Sequence, residues 1–311
     1  CIRSLISVWP RFERDSRYFG ELDAKGYFLE DEDGRTQDGL PFRSDRAGAL
    51  IDATNPQALD WFFTHVRDNI LSHGFDYLWL DETEPDLVPD GLFFKIGSGD
   101  RYHNVFPLLY VEGMSQRLRR YRPDKRVLIL ARAAYLGSQR TGAIFWSSDI
   151  DPSWEALRHQ VPTGLDMTAS GIAYWGNDIG GWQPLPKTSS ATHPPLIDPA
   201  AARDVVGQDY DYPELFTRWF EYGTFLPTLR IHGDRKHTEI WAYGPQAEAI
   251  LARYDRLRYR LIPYLYSRAW HTYRTGAPFM RALWMDFPGD PKVANIGNEY
   301  MLGPDFLVAP F

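Results

Sequence analysis

The sequence lacks several features that would place it in common protein classes. It contains one cysteine, Cys1, so no disulfide forms within the chain and no cysteine-based metal site can be built; the redox compartment stays open. No apolar run is long enough to cross a bilayer as a helix, so no membrane partner is expected, and no signal peptide is legible. A basic excess is also missing. The formal net charge is −7, whereas a general nucleic-acid binder carries a surplus of Lys and Arg, so no nucleic-acid partner is expected. The Arg-rich stretch "RLRRYRPDKR" (117–126) reads as a solvated helix end that complements the helix dipole. There is no G-x-G-x-x-G, no G-x-x-x-x-G-K-[ST] and no H-E-x-x-H, so nucleotide cradles and a zinc-protease helix find no support and no cofactor is expected. His232 and His237 are the one close histidine pair of their region. Five apart in a Gly-containing loop, they are a weak metal signal.

What the sequence does have is core-forming material. Hydrophobic residues make up 44% of the chain and aromatic residues 15%, with 11 Trp and 18 Tyr, enough for a sizeable core and against disorder. Aromatic rings fill cores, and they also stack on the apolar faces of sugars. The opening "CIRSLISVWP" has no initiator Met and enters an apolar run almost at once. The close "GPDFLVAPF" stops inside a strand-like run, so the sequence reads as a segment of a longer protein.

Short apolar strands alternate with helical patterns. "SLISVW" (4–9) reads as a buried strand closed by Pro10, and 11–48 as a long polar loop. A helix is punctuated by Asn55 as cap, Pro56 at its first position and Gly74 beyond its end. Its apolar face carries Leu59, Phe62, Phe63, Val66 and Ile70. Further strands are expected at "DYLWL", "RVLILA" (126–131), "AIFW" (143–146), "GIAYW" (171–175) and "FLPTLRI" (225–231). Helices are expected over 104–121, from 151 to about 160, over 213–223, and over 245–273 with a kink at Pro263. A Pro-, Ser- and Ala-rich insert occupies 183–213. Six such strands separated by helices predict an α/β fold with a parallel sheet, either open and doubly wound or part of an eight-stranded (β/α)8 barrel.

Chemistry-bearing residues follow the strand ends. Asp81, Glu82, Glu84 and Asp86 come after the second strand and Arg132 after the third. Ser147, Ser148 and Asp149 follow the fourth, Asn177, Asp178, Gly180 and Gly181 the fifth, and Arg230 and His232 the last. A barrel gathers all strand C-termini on one face, whereas an open sheet uses a single crevice, so polar ends on five successive strands favour the barrel. Each residue also has a plainer role open to it. Asp81 can cap a helix, and Asp149 can cap the helix at Ser153 or pair with Arg132. His232 can be a partly buried, satisfied histidine, Trp79 and Trp146 core residues, and Gly180–Gly181 a turn. A calcium site on the four acids of 81–86 is a further reading, although the spacing is not that of an EF-hand. The combination favours sugar chemistry. Two acids on different strand ends, with Trp, Arg and His around them, are the equipment for glycosidic cleavage, one attacking the anomeric carbon and the other protonating the leaving oxygen.

These residues also carry a resemblance. "WLDETEPDL", "LARAAYLGSQRTGAIFWSSDI", "YWGNDIGGW" and "FLPTLRIHG" resemble, in order, the successive motifs of glycoside hydrolase family 31, and "SVWPRF" (7–12) resembles the third barrel strand of its α-xylosidase-like members. The resemblance implies a (β/α)8 barrel over 1–280, here strands three to eight, and the start of a C-terminal β-sandwich over 281–311. It implies Asp81 as nucleophile and Asp149 as general acid/base. Trp79, Arg132, Trp146, Asp178, Trp182 and His232 are then the substrate-binding residues, Asp178 supporting the acid/base and Arg network. Three positions depart from the family text: Ser148 stands where Gly is commoner, Ala133 where a Ser usually follows the Arg, and Trp182 where Phe is usual. The activity implied is retaining, exo-acting hydrolysis of a terminal α-linked sugar, with the carboxyls about 5–5.5 Å apart and a covalent glycosyl-aspartate. α-Xylosidase is the first expectation; α-glucosidase, or a carbohydrate-binding homologue that no longer turns over, is the alternative. The expected partner is an oligosaccharide or α-glycoside; a homo-oligomer is compatible, no metal is expected, and localisation stays open. Glu82, Glu84 and Asp86 are assigned to shaping and solvating the loop, Glu84 before Pro85 being expected to bond backbone or Arg groups and fix it.

Overall fold

The protein's structure is a computed structural model that describes residues 2–42, 46–85, 88–185 and 211–310. The chain divides into two compact units, Cys1–Phe145 and Trp146–Phe311.

In the first unit, strands β1 (Leu5–Val8), β5 (Tyr77–Leu80), β8 (Ile129–Ala131) and β9 (Ile144–Trp146) lie side by side in that order, all parallel. The register aligns Val8 with Leu80, Leu80 with Ala131, and Ala131 with Phe145, so these strands end level. Burial of Leu78, Leu80, Ile129, Ala131 and Phe145 explains their apolar sequence. Helix α2 (Pro56–Asn69) starts as its punctuation predicts: the Asn55 side chain accepts from the Gln57 amide at 3.0 Å, Pro56 opens the helix, and Leu59, Phe62, Phe63 and Val66 are buried; it ends at Asn69, before Ile70, and Gly74 closes a 3₁₀ turn (Leu71–His73) instead. Helix α4 (Phe106–Tyr121) starts after a 3₁₀ turn (His103–Val105), two residues later than its expected onset at 104.

The stretch 11–48, expected as loop, holds more structure. Strands β2 (Arg11–Glu13), β3 (Leu40–Phe42) and β4 (Arg46–Leu50) make an antiparallel sheet in the order β2-β4-β3, and helix α1 (Phe19–Ala24) lies between β2 and β3 in the chain. Local pattern missed it because strands of three residues are too short to display a period. A small hairpin, β6 (Phe93–Phe94) with β7 (Gly97–Ser98), precedes helix α3 (Gly99–Tyr102). The Arg-rich end of α4 is not simply solvated. Arg117 bonds Asp60 at 2.8 Å and the Pro56 carbonyl, and Arg122 donates to the carbonyls of Leu71, Phe75 and Asp76. Arg117 ties α4 to α2, and Arg122 ties it to the chain segment entering β5.

In the second unit, helix α5 (Trp154–Ala169) runs well past the expected end near 160 and contains Pro162. Its cap is Ser153, which accepts from the Ala156 amide at 3.1 Å; neither Asp149 nor Asp151 takes that place. Two-residue strands follow, β10 (Trp175–Gly176), β11 (Asp178–Ile179) and β12 (Arg230–Ile231), shorter than the runs expected at 171–175 and 225–231. β11 and β12 are parallel, with Asp178 opposite Arg230. Helix α6 (Tyr212–Thr224) is followed by α7 (Pro245–Thr275), continuous through Pro263 and closed by Gly276 at φ 77°. Trp175, Trp219, Tyr212, Phe216 and Tyr243 fill the core of this unit. At the end of the chain, β13 (Met280–Ala282), β14 (Tyr300–Leu302) and β15 (Phe306–Val308) form an antiparallel sheet, with α8 (Leu283–Asp286) after β13. Most of the 183–213 insert lies outside the described residues, as does Asp86.

Candidate active site

In the first unit the site grows from the C-terminal ends of β1, β5 and β8. One more rung extends the ladder: the Asp81 amide donates to the Val8 carbonyl and the Arg132 amide to the Leu80 carbonyl, both at 3.3 Å. Asp81 and Arg132 are therefore set level, each the first residue past its strand. Trp79, two residues before Asp81, shares its face of β5, opposite the fully buried Leu78 and Leu80.

Asp81 is 7% exposed. Its Oδ1 accepts from Arg132 Nη1 and from the Glu82 amide, both at 3.1 Å, which fixes the carboxylate's direction. Arg132 also meets Glu82 at 3.6 Å and forms an ion pair with Glu84 through its Nε. Arg11, just past β1, takes the other side of Glu82 at 3.2 Å. Three carboxylates and two guanidinium groups thus form one network, half-buried around the buried Asp81, in which each charge leans on its partners. Burial pushes the Glu84 carboxyl up, against the pull of Arg132. Burial likewise lowers Arg11, against the pull of Glu82 and Glu84. Glu82 and Glu84 are therefore not solvating residues. They join the ion network at the root of the loop, because the 81–84 turn folds back over Arg132 instead of projecting outward.

Glu82 adopts φ 54°, a conformation that non-glycine residues rarely take and that recurs at functional turns. Thr83 is fully buried, and its Oγ1 accepts from the Ala133 amide at 3.1 Å. Thr83 thus satisfies the backbone of the residue where the hydroxyl of an Arg-Ser pair is absent.

In the second unit, Trp146 leads into Ser147, Ser148 and Asp149. Ser148 has φ 63°, so the position that resembles a family glycine holds the left-handed backbone that favours glycine. The Asp149 carbonyl accepts from Gln183 Nε2 at 3.3 Å, and the amides of Trp182 and Gln183 both donate to the Ile150 carbonyl. The loop after β11 is thereby laid beside the 149–150 segment. Gly180 and Gly181 are required there. Both have positive φ, and a Cβ would lie 2.5 Å from the Tyr212 hydroxyl at the first and 2.6 Å from Pro152 at the second.

Asp178 is fully buried, and its Oδ1 meets Arg230 Nε at 3.1 Å across the β11–β12 pair. The Arg230 guanidinium lies 4.8 Å from the Trp146 ring centroid, a cation–π contact that joins two candidate residues through a third. Trp182 Nε1 donates to His232 Nε2 at 3.0 Å, so that nitrogen is unprotonated and the neutral ring carries its proton on Nδ1. Burial, with Arg230 and Arg235 nearby, lowers the His232 pKa to about 4 and keeps the ring neutral near pH 7.

The structure thus brings Asp81 together with Arg132, and Asp178 with Arg230, Trp146, Trp182 and His232. Sequence reasoning left Arg11, Thr83 and Arg235 out of the site. The signals were present: Arg11 stands in "WPRF" just past a strand, and Arg235 three residues past His232. Among the described residues, no group of three or more His, Cys, Asp or Glu side chains is placed to hold a metal ion, and no helix is long and apolar enough to cross a membrane.

Comparison with known proteins matches residues 2–268 to the glycosyl hydrolases family 31 TIM-barrel domain and residues 276–311 to the glycosyl hydrolase family 31 C-terminal domain. An α-xylosidase of Saccharolobus solfataricus is 34% identical over 98% of this chain and 38% of its own length. A probable glucan 1,3-α-glucosidase of Oryza sativa is 29% identical over 98% of this chain and 32% of its own. A solved family 31 α-xylosidase from a soil metagenome, complexed with xylose, superposes with a TM-score of 0.85 at 30% identity, covering 99% of this chain and 46% of its own. The chain therefore spans from about a third to just under half the length of these relatives. The parallel strands of the first unit accord with a TIM-barrel domain.

Proposed function

The chain belongs to glycoside hydrolase family 31, and from that premise we propose that it acts as a retaining, exo-acting α-glycoside hydrolase releasing a terminal α-linked sugar. One observation carries the reading. Asp81, a buried acid at the C-terminal end of a parallel strand, has its carboxylate held by Arg132 and by a backbone amide, as an aimed nucleophile requires. In this reading Asp81 attacks the anomeric carbon while Asp149 gives its proton to the leaving oxygen. A glycosyl-Asp81 ester forms, and Asp149 then takes a proton from the water that opens it. Trp79 and Trp146 wall the sugar, and His232, neutral with Nδ1 protonated, bonds a sugar hydroxyl beside Trp182. Asp178 holds Arg230 in place against Trp146.

The sugar we propose is xylose, on the motifs at 7–12 and 79–87 and the likeness to two α-xylosidases. The second reading, α-glucosidase activity, rests on the rice relative. The test is kcat/KM on 4-nitrophenyl α-xyloside against the α-glucoside, with the product anomer followed by NMR. The xyloside is expected to be preferred and α-xylose to appear first. Preference for the glucoside moves the assignment to the second reading, β-anomer first rejects retention, and binding with no turnover leaves a carbohydrate-binding homologue.

A further inference from the structure

Arg235 has no place in the reaction outlined above, yet the fold builds a socket for it. Its Nη1 donates to the Gly181 carbonyl, and its Nη2 reaches the carbonyls of Ile179 at 3.5 Å and His232 at 3.4 Å. Its guanidinium lies 5.4 Å from the Tyr212 ring centroid. On another side the chain passes so close that a Cβ on Gly233 would stand 2.4 Å from the guanidinium carbon. A planar fork that meets three carbonyls and rests on an aromatic ring is a task for Arg that Lys performs poorly.

The three carbonyls belong to the two loops that present Trp182 and His232. Gly181 precedes Trp182, Ile179 ends β11, and the third carbonyl is that of His232 itself. The same loops meet again where the Asp234 amide donates to the Trp182 carbonyl at 2.8 Å and where Trp182 Nε1 donates to His232 Nε2. We propose that Arg235 is a positioning residue of the sugar pocket, clamping the loops after β11 and β12 so that Trp182 and His232 meet in one fixed geometry. This rests on the reading that those two side chains bind the sugar. Arg235 touches no reacting atom; it acts through His232 and Trp182.

The clamp has an electrostatic consequence. Two cations that oppose protonation of His232 are Arg230 on β12 and Arg235 on its own loop, and Arg230 also meets Asp178, the carboxylate of β11. Removing Arg235 withdraws one of the two cations that oppose protonation of the ring and admits water to it.

The experiment compares Arg235→Ala, Arg235→Lys and Gly233→Ala with the parent chain. The last keeps Arg235 but fills the space of its guanidinium. The first readout needs no substrate: the His232 ring is titrated by NMR on ¹⁵N-histidine-labelled protein and assigned with His232→Gln. In Arg235→Ala its pKa should rise from about 4 towards the ordinary histidine value. In Arg235→Lys it should stay low. The second readout is kinetic, on the 4-nitrophenyl glycoside the parent prefers. KM should rise about tenfold in Arg235→Ala and in Gly233→Ala, with kcat changed much less, since loosening the loops loses pocket geometry and not the acids. Arg235→Lys should recover part of that loss. An Arg235→Ala protein that folds, titrates His232 at the parent value and keeps the parent KM overturns the proposal. If that variant does not fold, Arg235→Lys and Gly233→Ala decide: parental KM in both overturns it equally. His232→Ala separates the two levels, because unchanged KM there removes the pocket reading while the titration still judges the clamp.

Discussion

The loop after β5 and the paired loops after β11 and β12 solve one problem in opposite ways. Each must hold polar side chains at a strand end, away from bulk water. The loop after β5 does so with charge. Asp81, Glu82 and Glu84 share Arg132, and Arg11 takes the far side of Glu82. The loops after β11 and β12 do so with one buried ion pair and a second guanidinium set among backbone carbonyls. Those carbonyls, a Trp–His hydrogen bond, a cation–π contact and two glycines set their shape. A charge network fixes carboxylates by mutual dependence, and losing one member strands the others. A framework of backbone and rings is graded: losing one contact loosens it without stranding a charge. The first suits a group that must be held in one direction, the second a surface that must fit a ligand.

The largest effect expected lies with the proposed acids. Asp81→Ala and Asp149→Ala should each lower kcat on activated α-glycosides by several orders of magnitude, and azide should restore part of the loss by standing in for the missing carboxylate. Near-parental turnover in either variant would remove that residue from its role. Next comes the charge network itself. Arg132→Ala leaves the buried Asp81 and the half-buried Glu84 short of a cation and should cost about 2 kcal/mol of stability, read as a lower denaturant midpoint. The loss should be smaller in an Arg132→Ala/Glu84→Gln double variant, since the protein then carries one stranded charge fewer. An additive result would mean that the network is not cooperative.

pH sharpens the contrast from the other side. The His232 pKa is lowered to about 4 in the fold, whereas an unfolded histidine titrates near its ordinary value. Between those values the unfolded chain binds a proton that the folded chain refuses. This contribution to stability is therefore complete above the ordinary histidine pKa and is lost as pH falls towards 4. Replacing His232 by Gln should flatten the stability profile over that window, seen by thermal melts at several pH values; an unchanged slope would locate the pH dependence elsewhere. The smallest effect expected is at Ser148. With φ 63°, Ser148→Gly relieves backbone strain and should raise stability by up to about 1 kcal/mol, with activity near parental. A clear loss of activity would instead assign the Ser148 hydroxyl a part in the site.

Much of this was legible in the sequence where one element decides the outcome. "NPQALDWFFTHV" specifies a capped amphipathic helix and folds as one, because cap, proline and apolar face all act within a few turns. Asp81 and Arg132 were readable as strand-end residues since apolar runs mark their strands. That Glu84, before Pro85, bonds an arginine was readable too; the role of Glu82 was not, because nothing local says that the turn sets it between Arg11 and Arg132. The sheet inside 11–48 was equally hidden, its strands being defined by pairing partners distant in the chain.

By itself, then, the sequence determined the alternation of strand and helix, the capped start of α2, and which acids stand where parallel strands stop, since burial, capping and period are properties of neighbours along the chain. The tertiary structure decided which cation each acid received, that His232 accepts a bond from Trp182 and stays neutral, and that Arg235 joins two loops. Those outcomes depend on groups brought together across tens of residues, where the register of parallel strands and the space left by a missing side chain, as at Gly181 and Gly233, set the distances.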